Sequence, residues 1–342
     1  MVSLVTGASG LLGYSLANLL AKQNEPVRAM IRKVSDKDQF DSSSIETVIG
    51  DLTNPASLKA AVKGVDVVYH CAATSTDWTD WDTYYNGNVN GVKSLLDAVI
   101  AESKSIRFVH VSTTDVYGFP EHVVSEEAPM VDVGLPYNKT KIMAEKLVQQ
   151  AYMEHGLPTT VIRPATIYGP RSADFIVEIH EQLKAGMMPL ISGGRSSPGL
   201  IYVDNVSNAM ILAAKSDKTV GKAYNLRDES VQSWEEYTCA LADAFELPPP
   251  KLRLPFSFAF PFAWSMEKLH ALLKLKTKPL LTRHAVYLLS RDASFPIDRA
   301  KQDFGFKSEV SFESGIEQSV RWFREVYEPQ RELKSSRGWC LG

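Results

Sequence analysis

The chain opens on apolar runs broken at regular intervals by glycine and polar turns. "MVSLVTGASGLLGYSLANLLAKQ" reads as a strand, a glycine turn and a helix carrying Leu12, Leu16, Leu19 and Leu20 on one face. "PVRAMI" is a second short strand, and "VDVVYHCAA", "IRFVHVSTT" and "PTTVIRPATIYG" are three more β-rich runs, each preceded by a helical pattern. Strands alternating with helices of about ten to fifteen residues predict a parallel sheet covered on both faces. The alternation predicts one α/β unit over 1–170, to which later strands return. Beyond it, isolated strands ("GLIYVDNV", "KAYNLRD") alternate with helices, and prolines cluster in "ELPPPKLRLPFSFAFPFAW". These predict a smaller, discontinuous region over 171–330, packed against the sheet's carboxyl edge, and a tail at 331–342.

Composition narrows the classes. With 44% hydrophobic and 23% charged residues the chain is ordinary globular material, and its net charge of −3 argues against nucleic acid as the main ligand, which needs a concentrated basic surface. No apolar run reaches the roughly 18 residues of a membrane span. The first strand begins at Val2, so no targeting segment is expected before it. Cys71, Cys239 and Cys340 are far apart and lack CxxC spacing, which gives neither a disulfide framework nor a zinc site and suits a reducing, cytoplasmic setting. Cys340 stands one place off a prenylation box.

Two motifs carry chemistry. Gly7-Ala-Ser-Gly10-Leu-Leu-Gly13 joins the first strand to the first helix. Gly7 permits a sharp turn, Gly10 lets backbone approach a pyrophosphate, and Gly13 allows close packing of helix on strand. The helix N-terminus at Leu11 and Leu12 offers N–H groups to the anion. The bland alternative is a tight turn and nothing more. The second motif is "LPYNKTKIMAE", which sets Tyr137 and Lys141 four positions apart, on one face of a helix. Its bland alternative is a surface tyrosine beside a solvated lysine.

The GxxGxxG spacing with "YNKTK" downstream resembles the short-chain dehydrogenase/reductase superfamily in its extended subfamily, that of the NAD-dependent epimerases and dehydratases. The resemblance covers nearly the whole chain and implies a Rossmann-type doubly wound fold, a C-terminal substrate-binding region and a nicotinamide cofactor. It assigns Tyr137 as the proton carrier, its ordinary pKa near 10 brought down by Lys141, and Thr113 of "HVSTTDVYG" as the second anchor on the substrate oxygen. Asn88 of "NGNVNGV" would support the active-site helix, although Val92 stands where a threonine is usual. Asp51 and Leu52 of "GDLTNPASL" would meet the adenine, Asp51 alternatively capping the helix that follows. Ala72 and Ala73 of "HCAA" would leave room for the ribose, while His70 reads as a packed core histidine. Pro164, Ala165 and Ile167 of "RPATIYGP" would lie near the nicotinamide amide. Helices around 85–101 and 138–155 would form a homodimer.

Cofactor and substrate rest on fewer residues. An acidic residue about 20 positions past the glycines binds the ribose of NAD, but Arg32, followed by Lys33, holds that place here. A guanidinium grips a 2′-phosphate, so NADP(H) is the expected cofactor, with NAD(H) also usable; otherwise Arg32 is only a solvated strand-end cation. "GGRSSPGLIYVDNVSNAMILA" resembles the 3β-hydroxysteroid and sterol-4-carboxylate dehydrogenase branch, which includes reductases of long 3-oxoalkanoates. That implies exchange of a secondary alcohol and a ketone on an apolar small molecule. Arg195 meets an anionic group there or is a solvated loop charge. From Ser265, "SMEKLHALLKLKTK" places Met266, Leu269, Leu272 and Leu273 on one side and Lys268, Lys274 and Lys276 elsewhere. Residues 254–276 therefore roof an apolar pocket, touch a membrane surface, or simply face the core. Trp78 and Trp81 line the substrate mouth or pack a long loop. A sugar-nucleotide epimerase or dehydratase holding NAD tightly is the competing reading, and a non-catalytic dinucleotide sensor a third.

Overall fold

The structure, a computed structural model, describes residues 1–40, 43–102, 105–275 and 277–338. Lys276 and Cys340 lie outside the described residues. The strands, in chain order, are β1 (Ser3–Thr6), β2 (Val27–Ile31), β3 (Ile45–Ile49), β4 (Val67–His70), β5 (Arg107–Val111), β6 (Thr159–Pro164), β7 (Thr166–Tyr168), β8 (Pro189–Ile191), β9 (Leu200–Tyr202), β10 (Lys222–Leu226) and β11 (Leu252–Leu254). Seven of them form one parallel sheet in the order β10-β6-β5-β4-β1-β2-β3. Its central strands are buried from end to end, as "VVYH" in β4 illustrates, because helices cover both faces.

On one face, α1 (Leu11–Lys22) closes a core built around Leu16, Leu20 and Val5. On the other lie α2 (Pro55–Val62), α3 (Trp81–Tyr85), α4 (Gly91–Ile100) and α5 (Pro136–His155), which bury Leu58, Val62, Leu95, Val99 and Val148. A wider turn at Asn86–Asn90 joins α3 to α4 without a break. Past β6 the chain leaves the sheet for α6 (Glu178–Lys184), returns with α7 (Val203–Lys215) against α1, and adds β10 at the edge. Outside the main sheet stand two short parallel pairs, β7 with β9 and β8 with β11, with α8 (Trp234–Ala244), α9 (Phe256–Leu272) and α10 (Arg283–Ser290) beside them. Near the end come α11 (Asp298–Phe304), α12 (Phe312–Trp322) and α13 (Glu328–Gly338).

Two boundaries differ from the expectations. The segment read as a tail from 331 continues α13, whose Arg331, Glu332, Leu333 and Lys334 are good helix formers. The amphipathic stretch read from Ser265 is part of a longer helix that begins at Phe256 and runs through Pro261. It buries Ala259, Ala263 and His270, and leaves Leu269, Leu272 and Leu273 in solvent.

Candidate active site

In open α/β sheets ligands bind outside the carboxyl ends of the strands, where the order reverses. Here that place is the gap between β1 and β4. Gly7 adopts a φ of 66°, and a Cβ there would stand 2.7 Å from the Ala72 backbone; one on Gly13 would run into the Gly7 carbonyl oxygen. Only glycine fits both positions. Gly10 is exposed, and no side chain caps the first turn of α1. The N–H groups of Leu11, Leu12 and Gly13 are therefore open to an anion, although the Leu12 side chain itself is core. Ala72 backs this turn with nothing larger than a methyl, and Ala73 follows it in the loop after β4.

Arg32 and Lys33 are exposed just past β2, and Asp51 and Leu52 follow β3. Asp51 accepts the hydroxyl (2.7 Å) and N–H (2.8 Å) of Thr53, which, with the nearby Arg32 charge, holds its carboxyl below the ordinary range. The cap of α2 is Asn54, not Asp51. Leu52 lies so close to Gly91 that a Cβ there would meet it at 2.9 Å. An uncapped helix end, a bare glycine surface and a cation past β2 make a cradle that fits a dinucleotide.

The catalytic candidates lie next to it. Tyr137 sits in the first turn of α5, at the carboxyl end of β5, and its phenol lies beside the Thr113 side chain. Its ring packs against Tyr84 (6.4 Å between centroids) and His284 (5.7 Å). Burial pushes the phenol's ionisation well up, the Asp115 charge adds to this, and the Thr113 side chain only partly opposes it. The expected pull of Lys141 on the phenol is therefore corrected. The Lys141 ammonium donates instead to the Val111 carbonyl at 2.6 Å, and loss of solvent outweighs any attraction between the two groups. Burial also brings Lys141 itself down to about 8, although Glu145, Cys71 and Asp115 favour its charge.

Near Lys141, His70 and His110 stack at 5.4 Å and are fully enclosed. Burial and the Lys141 charge keep both neutral, His70 down at about 3. His70 is a packed core histidine whose ring shares a 2.7 Å hydrogen bond with Thr6. Asn88 accepts the Thr74 N–H (2.7 Å) and donates to the Thr74 carbonyl (3.1 Å) and the Thr140 hydroxyl (3.2 Å). It thereby ties the loop after β4 to α5, one residue from Lys141. Pro164 ends β6. Ala165 lines a small aromatic pocket with Asp115, Phe119, Tyr287 and Phe295, whereas Ile167 sits in β7, paired with Ile201. Trp78 packs edge-on to His270, Trp81 lies tilted against Tyr85 at the surface, and Arg195 is an exposed loop charge.

Three groupings lay beyond the sequence reading. The first is His284, which bonds Asp115 at 2.8 Å. Burial opposes its charge, but the bond to Asp115, with Asp77 and Asp174 further off, raises its ionisation. The second joins Glu145 and Arg163 in a buried bidentate pair that also takes Ser112 and Tyr117, the latter donating its hydroxyl hydrogen bond to the Asn225 side-chain carbonyl. The third is Arg171, whose guanidinium lies over the Tyr14 ring and donates to the Ser9 carbonyl in the glycine turn. Only Glu145 left a local trace, four positions past Lys141.

Comparison with known proteins agrees with this geometry. The profile of the NAD dependent epimerase/dehydratase family matches residues 3–226. The chain belongs to this family. Among relatives of this epimerase/dehydratase-family chain, the 2-alkyl-3-oxoalkanoate reductase of Stenotrophomonas maltophilia is 30% identical, over 92% of this chain and 97% of that protein. The sterol-4-alpha-carboxylate 3-dehydrogenase (decarboxylating) of Mus musculus is 26% identical over 94% of this chain and 91% of its own. In fold, the family member is similar to the UDP-glucuronic acid 4-epimerase of Bacillus cereus solved with UDP-glucuronic acid and NAD. The TM-score is 0.75 at 22% identity, covering 96% of this chain and all of that one. This is an NAD-dependent enzyme family of the extended short-chain dehydrogenase/reductase type, with oxidoreductases among its members.

Proposed function

We propose that this protein is an oxidoreductase exchanging a ketone and a secondary alcohol on an apolar small molecule, with NADP(H) preferred over NAD(H). The observation that carries the reading is the placement of Tyr137 in the first turn of α5, one helical turn before the buried Lys141 and beside Thr113 at the carboxyl end of β5. A nicotinamide cofactor bound there would supply or accept the hydride. Tyr137 then donates its proton to the carbonyl oxygen, and a phenol that resists ionisation is suited to that reducing direction. Thr113 holds the same oxygen, and Lys141, fixed at the end of β5 by Val111, sets the charge beside the phenol. Arg32 supports NADP(H), since it is exposed at the end of β2 where a carboxylate would serve NAD.

Relatives named for 3-oxoalkanoates and sterol carboxylates support an apolar substrate. A long-chain 3-oxoalkanoate is accordingly the first substrate to try. A homodimer through α4 and α5 belongs to the same proposal. The test is a panel of long-chain 3-oxoalkanoates, 3-ketosteroids and UDP-sugars, assayed with NADPH and NADH against the wild type and Tyr137→Phe. Ketone-dependent oxidation of the reduced cofactor, lost in Tyr137→Phe by about a hundredfold or more while cofactor binding persists, supports the reading. Turnover of a UDP-sugar alone, with copurified NAD that does not exchange, overturns it.

A further inference from the structure

The outward side of α9 is apolar where a surface helix is ordinarily polar. Phe258, Phe262, Leu269, Leu272 and Leu273 are between 37% and 78% exposed. At 3.6 residues per turn they fall within roughly 100° of arc. Trp264 is exposed as well, with the Lys268 ammonium 5.6 Å from its ring centroid. The helix is held by its other side, where Ala259 and Ala263 are fully buried and Phe260 meets Tyr287 at 5.2 Å. Small residues face inward and large ones outward, so the exposed stripe is not a loosely packed core face.

Charge distinguishes the occupants. Among the described residues from 255 to 280, every exposed charged side chain is a lysine: Lys268, Lys274 and Lys278. Lys278 is paired with Asp77 and Glu178. The one carboxylate in that span, Glu267, turns inward to Arg283. This cationic, apolar face belongs to a chain of net charge −3. A second copy seated on it by a two-fold axis would bring like charges together. An anionic lipid surface answers both the apolar stripe and its lysines.

We propose that α9 seats this protein on an anionic membrane surface. The helix lies in the interfacial plane, with Phe258, Phe262, Leu269, Leu272 and Leu273 toward the acyl chains and Lys268 and Lys274 at the headgroups. No helix among the described residues is long and apolar enough to cross the bilayer. From the inner side of α9, rings run inward from Phe260 to Tyr287, on to Phe119 and His284, and so to Tyr137, at spacings of 5.2 to 5.7 Å. Docking in this way brings the catalytic crevice to the lipid, but the docking itself does not depend on the reaction proposed above.

The test uses the full chain in flotation with vesicles of phosphatidylcholine alone and with a minority of phosphatidylglycerol. The comparison is with Phe262→Gln/Leu269→Gln and with Lys268→Glu/Lys274→Glu. Wild type is expected to float with the anionic vesicles, less so at high salt. The first double variant should lose about tenfold or more in binding, two large apolar groups being withdrawn from lipid. The lysine variant, altered only at the surface, should lose binding with its thermal melt unchanged, so that a folding defect in the first cannot decide the result. Failure of wild type to float, or flotation unchanged in the lysine variant, overturns the proposal. So does sedimentation showing a wild-type oligomer that the apolar variant dissolves, since the stripe would then be a contact between copies.

Discussion

A buried lysine whose ionisation is brought from 10.5 to about 8 lowers the stability of the protein that carries it. At roughly 1.4 kcal/mol per pH unit the cost is on the order of 3 kcal/mol at neutral pH. Below about pH 8 the ammonium is present in both folded and unfolded chains, and the folded state bears the whole penalty. As pH rises toward 10.5 the folded protein sheds the proton first, so stability recovers. Lys141→Met has no such proton. Relative to that variant, wild type is expected to gain about 2 kcal/mol between pH 7 and pH 9.5. With roughly 2 cal/mol/K of unfolding entropy per residue, a chain of this length shifts by about 1.4 °C per kcal/mol, so the two melting temperatures should move by about 3 °C relative to each other. The absolute offset also contains the hydrogen bond to Val111 that methionine cannot make, so the pH dependence, not the offset, isolates the charge. Thermal melts followed by circular dichroism at several pH values, run on both proteins without cofactor, make the comparison. Parallel curves would show that Lys141 titrates at its ordinary value and would refute the reasoning. Turnover by Lys141→Met should be lost at every pH.

Other outcomes follow from the same structure. Glu145→Gln removes the countercharge of a fully enclosed guanidinium and should cost about 3–5 kcal/mol, read as an earlier urea midpoint; the double variant Glu145→Leu/Arg163→Met should recover part of it, and no recovery would mean the pair is not the source. Arg32→Asp should raise the Michaelis constant for NADP(H) far more than that for NAD(H), and equal effects would remove the basis of the cofactor preference. Gly13→Ala should abolish dinucleotide binding measured by fluorescence, because its methyl runs into the Gly7 carbonyl oxygen; retained binding would show that the turn can yield.

The glycine turn and the Tyr137–Lys141 pair were legible because their chemistry is local: each needs a few residues on one turn or one helix face. Strand alternation also foretold the parallel sheet. Other parts depend on long-range partners. Asp115 and His284 are 169 positions apart and meet only when α10 packs against the turn that follows β5. The sign of the electrostatic effect on Tyr137 was illegible too, because spacing says nothing about how much water the fold removes from the phenol. Periodicity placed the leucines of α9 on one side, but not toward which medium. That was decided by Ala259 and Ala263, whose small size lets the helix lie close against its neighbours and turns the larger residues out.

The late arrival of β10 limits how this protein can be divided. The strand comes from beyond residue 220, yet it covers β6 and carries the Asn225 that accepts the Tyr117 hydroxyl. A fragment ending near residue 170 would hold every glycine of the cradle and both members of the tyrosine–lysine pair. It would also leave an open β edge and strip a buried hydroxyl of its acceptor, inviting aggregation. The nucleotide-binding half is therefore no interchangeable module: recombination that grafts a foreign substrate region onto it must carry this closing strand along.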